Sequence, residues 1–374
     1  MQLRTMTRLY LLIFMFIFTS ISALTQQGTP DPAPPAATIG PVVDVHVHLL
    51  AATPREYQEA AKEAVAVMDR FGIQKMIVMP PPKDGVIIPD TDYEALLPAI
   101  QNYPARFAFL GGGGRLNAMI QQTPWQTPIG EDVRRKFEQE AEEVLRQGAI
   151  GFGEIAIHHL SNGPGHPYES VPGDHPLLLL LADIAARHDV PLDVHCDVVT
   201  ADMLAPAFLT SPLDPTSFRA NIDGFERLLA HNPKTRVIWE HCGSDTLGCW
   251  TAGLSRRLLE KYPNLYLGLR IGPGPGHYPR NYPLMRDGQM KPEWRKLFQD
   301  YPARFMIGSD MFIGPPGFHS PLSIAQAAKQ PALTNVGVST FLGALPAELA
   351  RKFASENAMT LYKLAAPAGD GAPR

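Results

Sequence analysis

Val42-Val43-Asp44-Val45-His46-Val47-His48 alternates apolar and polar residues with the period of two that marks a β-strand, and it sets His46 and His48 on one side. Two imidazoles so placed can grip one metal ion. A His-x-His pair alone is a weak signal, so its meaning depends on what the other strands carry. Outward from it, short runs rich in Val, Ile and Phe alternate with longer stretches of helical period. Strands are expected over residues 42–48, 75–79, 107–111, 151–157, 192–195, 236–241, 266–271 and 305–310. The clearest helices are expected over 54–71, 132–147, 176–188, 218–231, 252–262 and 293–301. Eight βα units in this alternation predict an α/β fold: a single-domain (β/α)8 TIM barrel over residues 41–366, in preference to an open doubly wound sheet.

The 374 residues, 45% of them hydrophobic, suffice for one large core. A net charge of −4 gives no electrostatic reason to expect a nucleic-acid or membrane-surface partner; the expected partner is a small-molecule substrate. Arg4 and Arg8 precede an apolar run from Leu9 to Phe18, followed by Thr19, Ser20, Ile21, Ser22 and Ala23. Basic, then apolar, then small is the order of a signal peptide, expected over residues 1–23. The apolar run is shorter than the ~20 residues that cross a bilayer. An exported protein, periplasmic or secreted, without stable membrane insertion is therefore expected; the alternative is anchoring by an uncleaved segment reaching Leu24. Residues 24–40 read as a Pro-rich linker and 367–374 as a flexible tail. Cys196, Cys242 and Cys249 are an odd number, which argues against a disulfide scaffold. Cys196 and Cys242 each follow a histidine and are expected as buried thiols facing away from it, although a bridge between them stays open.

The chemistry gathers where strands end, which is where a barrel places its active site. Glu154 stands in an apolar strand and calls for a cation or a basic partner. Asp193-Val194-His195, Trp239-Glu240-His241 and Gly308-Ser309-Asp310 end the fifth, sixth and eighth strands. His46, His48, Glu154, His195, His241 and Asp310 thus form a candidate metal site of imidazoles and carboxylates. Such a set suits Zn²⁺, with Mn²⁺ or Fe²⁺ as alternatives, in one or two copies. Arg270 and His158 are candidate substrate contacts, Arg270 for a carboxylate or phosphate unless it is a structural ion pair. The loop 272–278 and the stretch 161–173 are expected as rims or lids, and Gly111 to Gly114 as a flexible turn.

In this order the residues resemble the amidohydrolase superfamily, and within it the amidohydrolase-related group of barrel hydrolases, from about Val42 to Leu364. His46, His48, His195, His241 and the Arg304-Phe305-Met306-Ile307-Gly308-Ser309-Asp310 stretch carry the resemblance, with Leu345-Pro346-Ala347-Glu348 leading to Asn357-Ala358-Met359-Thr360-Leu361-Tyr362 at the close. Gly153-Glu154-Ile155 departs from members with a carboxylated lysine there, or with no ligand on the fourth strand. It is more similar to TatD-type relatives, in which a glutamate bridges two metals. The resemblance implies a hydrolase that attacks a lactone, ester, amide or cyclic amide, or another C–O, C–N or P–O bond, with a metal-activated water. It gives Asp310 the catalytic roles of first-metal ligand and proton carrier. In a one-metal site His241 would orient the water or stabilise the oxyanion instead of ligating. Non-oxidative decarboxylation is the alternative chemistry and a non-catalytic metal-binding barrel is a third reading; the sequence leaves the oligomeric state open, and the resemblance allows a homodimer, since related barrels are often dimers.

Overall fold

The computed structural model describes residues 40–85, 92–124, 128–161, 166–271, 281–317 and 330–365. The expected signal peptide, the linker up to residue 39, the loop 272–278 and the tail lie outside the described residues.

Eight strands succeed one another with helices between: β1 (Val42–Leu49), β2 (Ile73–Val78), β3 (Phe107–Phe109), β4 (Phe152–His159), β5 (Pro191–Cys196), β6 (Arg236–Cys242), β7 (Leu265–Leu269) and β8 (Phe305–Ile307). Parallel pairing links β1, β2 and β3 in one sheet and β4 through β8 in another. Two strands change partners where the sheets meet. Beyond Leu110, Gly111–Gly112 pairs with β4, and beyond Asp310, Met311–Ile313 pairs with β1. Across these seams Leu110 N donates to Val78 O at 3.0 Å and Asp310 N to His46 O at 2.9 Å. The result is an α/β fold of parallel strands in the consecutive order that a (β/α)8 barrel requires.

Local chemistry sets the boundaries. Thr53 and Glu56 form a capping box at the start of the helix Pro54–Phe71, and Gly72 ends it with φ 70°. The core has two layers. One packs the helices on the strands and holds Val47, Leu49, Phe152, Trp239 and Leu181; the other, of Val43, Val45, Ile77, Leu110, Ile238 and Met306, is closed by Ala358, Leu361 and Tyr362. Cys196 and Cys242 are free thiols buried in the first layer, on the side away from the histidines, so no bridge joins them.

Several expected boundaries move. The helix expected from residue 218 begins at Ile222, because Ser217–Phe218 pairs with Met203–Leu204 and Asn221 is tied back to Val199 N and Asp197 O. The expected eighth strand, 305–310, breaks after Ile307, where Asp310 takes φ 55°. Within the stretch expected as an irregular rim, Glu169–Ser170 pairs with the end of β4. Gly111 to Gly114 is no loose turn: the Asp92 carboxylate accepts from the backbone N–H of Gly112, Gly114 and Arg115. A Cβ on Gly113 would meet Pro80 O at 2.5 Å and Glu154 O at 3.0 Å, so only glycine lets this backbone pass beside Glu154. Among the described residues no helix is long and apolar enough to cross a membrane.

Candidate metal centre

The register of β1 against β2 shifts between Asp44 and Val47. Val43 and Val45 consequently face the inner layer and Val47 and Leu49 the outer one, which frees His46 and His48 to point together into the interior. On β6, His241 has φ 68°, a left-handed conformation that turns it inward directly after Glu240. Asp310 does the same at the end of strand 8, where Ser309 N donates to Asp44 Oδ1 at 2.9 Å. Each such non-glycine residue costs about 1–3 kcal/mol of strain, and such strain concentrates at functional sites.

All six ligand-type residues converge. Glu154 lies at the centre, with Oε2 at 3.5 Å from His46 Nε2 and 3.3 Å from His48 Nε2. Its Oε1 lies 2.8 Å from His195 Nδ1 and 2.9 Å from His241 Nε2. Asp310 Oδ1 is 3.4 Å from His48 Nε2, and Asp310 Oδ2 is 3.9 Å from His241 Nδ1.

Hydrogen bonding tests whether a cation belongs here. His48 Nδ1 lies 3.0 Å from the carbonyl oxygen of Met79, which can only accept, so this nitrogen carries the proton. His46 Nδ1 likewise faces Asp193 Oδ2 at 3.2 Å. In neutral imidazoles both Nε2 lone pairs then point at each other across 3.2 Å, with the oxygens of Glu154 and Asp310 alongside. Lone pairs converging in a buried site need a cation among them, so the residues fit a divalent metal. The ligand atoms of His46, His48 and Asp310 all lie within 4.8 Å of one another, as do those of His46, Glu154 and His241.

Without a metal, protons take the cation's place. Burial alone would lower the His46 pKa, but the charges of Asp193, Glu154 and Glu240 hold it well above the imidazole range. Burial would likewise lower His195, yet Asp197 and Glu154 on either side push it to about 10. Glu154 and Asp310 would be raised by burial and are instead held well below the carboxylate range, Glu154 by His46, His195 and His241, and Asp310 by Arg270, His241 and His48. A proton and a metal ion compete for the same lone pairs.

Arg270 joins the site through Asp310, its Nε 3.0 Å from Oδ2. A cleft of about 100 Å³ opens over the centre, lined by Glu154, His195, His241, Arg270 and Asp310, with His159 and His166 among its polar walls. His158 is not in that lining. Its Nδ1 lies 2.5 Å from Asp197 O and its Nε2 3.2 Å from Tyr168 OH, because β4 slips register between Ala156 and His158 and presents His159 to the cleft instead. Asp193, Asp197, Glu240 and Glu169, all placed behind the histidines, were not among the expected site residues. The spacing of Asp193 and Asp197, two residues to either side of His195, was the available signal.

The family model described as amidohydrolase matches residues 43–364. Among solved structures, a dihydroorotase from Campylobacter jejuni is 15% identical, with 88% of this chain and 84% of that one covered and a TM-score of 0.44. A 2,6-dihydroxybenzoate decarboxylase, complexed with 2,6-dihydroxybenzoate, is 15% identical over 87% of this chain and 100% of the other, with a TM-score of 0.45. An amidohydrolase from Mycobacterium avium subsp. paratuberculosis is 13% identical over 81% and 74%, with a TM-score of 0.41. No curated relative matches. Because the family match spans every strand and all six converging side chains, the chain belongs to the amidohydrolase family.

Proposed function

We propose that this enzyme hydrolyses a C–O, C–N or P–O bond of a small molecule, of the lactone, ester, amide or cyclic amide type, at a two-metal centre in the mouth of a (β/α)8 barrel. The reading rests on Glu154, whose two oxygens are divided between two pairs of histidines. One metal would be held by His46, His48, Asp310 and Glu154 Oε2, the other by Glu154 Oε1, His195 and His241. The donor set favours Zn²⁺, then Mn²⁺ or Fe²⁺. Bound there, such ions bring the pKa of a water toward ~7 and polarise the oxygen of the scissile bond.

The chain's own groups supply the rest. Arg270 holds Asp310 ionised and oriented through the 3.0 Å contact, leaving Asp310 ready to receive the proton of the attacking water and hand it to the leaving group. Leu50, Pro81, Pro82 and Phe312 give the cleft an apolar wall, which suits a substrate with an apolar body. The basic, apolar, small order of residues 1–23 supports export.

The test is a panel assay of the zinc-loaded full chain, with lactones, esters, amides and cyclic amides scored for hydrolysis and aromatic and enoic acids for CO2 release. Hydrolysis of a panel member, abolished in Asp310→Asn, is expected. CO2 release without hydrolysis would replace the reading with decarboxylation.

A further inference from the structure

An imidazole ligand has two nitrogens, and what holds the outer one decides where the inner one points. For His48 the holder is the Met79 carbonyl. For His46 it is Asp193, with Oδ2 3.2 Å from Nδ1. For His195 it is Asp197, with Oδ2 3.1 Å from Nε2. Asp193 and Asp197 stand two residues before and after His195, so one short run reaches both halves of the centre: back across the interior to β1, and within its own segment. We propose that Asp193-Val194-His195-Cys196-Asp197 is a positioning device, in which Asp193 aims His46 at one metal and Asp197 aims His195 at the other. The inference rests on the two-metal reading above.

Packing supports the assignment. Asp193 is fully buried; its Oδ2 faces His46 Nδ1 at 3.2 Å, and the carboxyl of Glu240 lies beside the pair. A carboxylate buried at such cost needs the imidazole it faces. The fold also makes space for it: a Cβ on Gly153 of β4 would lie 2.6 Å from Asp193 Cβ. Asp197 is fixed by Leu160 N, which donates to the same Oδ2 at 3.1 Å that faces His195. A carboxylate held from behind in this way sets the tautomer and the angle of the ring and raises its basicity, and losing one typically weakens metal binding about 10- to 100-fold.

The experiment titrates Zn²⁺ alone into the metal-free full chain against a chelator of known affinity, for the wild type and for Asp193→Ala, Asp193→Asn, Asp197→Ala and Asp197→Asn. The rise in Tm on adding zinc is recorded in parallel. The wild type is expected to take two zinc ions. Each alanine variant should keep one tight zinc and bind the other about 10- to 100-fold more weakly. A variant carrying both alanines should bind both zinc ions more weakly by that factor, and asparagine, which still accepts a hydrogen bond, should restore part of the affinity. Where an alanine variant does not fold, its asparagine partner carries the test through a wild-type Tm without zinc and a smaller rise with it. Wild-type affinity in all variants, or an equal loss of Tm with and without zinc, would reduce the aspartates to structural roles and overturn the inference. A wild type that binds no zinc would overturn the metal reading itself.

Discussion

Gly268→Ala should damage this protein far more than one added methyl group suggests. Gly268 lies in β7 beside Glu240, whose carboxyl is fully buried and has no hydrogen-bond partner on either oxygen. A Cβ at 268 would fall inside that carboxyl group. Glu240 lies between the two glycines, since a Cβ built on Gly308 would likewise fall 2.7 Å from Glu240 Oε2. Overpacking of a tight core costs about 1–3 kcal/mol, and here the group that must give way is a buried carboxyl. At roughly 2–4 °C per kcal/mol for a large domain, Tm should fall by about 2–12 °C. Thermal melts of the zinc-free protein read this directly, and a second substitution identifies the cause. Glu240→Ala empties the space that the new methyl needs, so Gly268→Ala should cost little in that background, with a coupling of about 1–3 kcal/mol between the sites. An unchanged Tm for Gly268→Ala, or an equal penalty with and without Glu240, would refute the reasoning.

Two further outcomes follow from charged groups around the cleft. Arg270→Met removes the ion pair to Asp310, so kcat should drop by roughly 10- to 100-fold in steady-state assays while KM changes little; a rise in KM alone would show that Arg270 binds substrate instead. Glu169 is raised to about 8 by burial, an effect its hydrogen bond from Asn117 offsets only in part. Between pH 4.5, its ordinary pKa, and about 8 the folded chain keeps a proton that the unfolded chain has released, so stability should fall as pH rises through this window. Glu169→Gln should flatten that slope, by at most roughly 5 kcal/mol at pH 8, and denaturant melts from pH 5 to 9 with the same slope for both proteins would contradict it.

What the sequence revealed and what it concealed have the same physical origin. The ligands were legible because each is a polar side chain at the end of an apolar run: His46 and His48 after Val42 and Val43, Glu154 after Phe152, His241 after Val237 to Trp239. Burial makes such residues conspicuous, and their order along the chain restricts the fold that can bring them together. The groups behind the ligands were hidden. Strict alternation puts Glu240 and His241 on opposite faces, yet the left-handed backbone at His241 and the register shift before Cys242 turn both inward. The same limit applies at His158 and His159, which the sequence offers alike for the mouth: a slip in β4 turns His158 to Tyr168 and Asp197 and gives the cleft His159. Asp92 could not be anticipated either, since the backbone amides that it gathers are donors in every sequence and become a site only once Gly112 to Arg115 fold around it.

The most direct test of the central claim is elemental analysis of the purified protein, counting metal per chain in the wild type and in Glu154→Ala. Two Glu154 oxygens facing two pairs of histidines predict close to two metals per chain, falling in the variant as the bridge is lost. A wild type that carries no metal, or a count that Glu154→Ala leaves unchanged, would contradict the account.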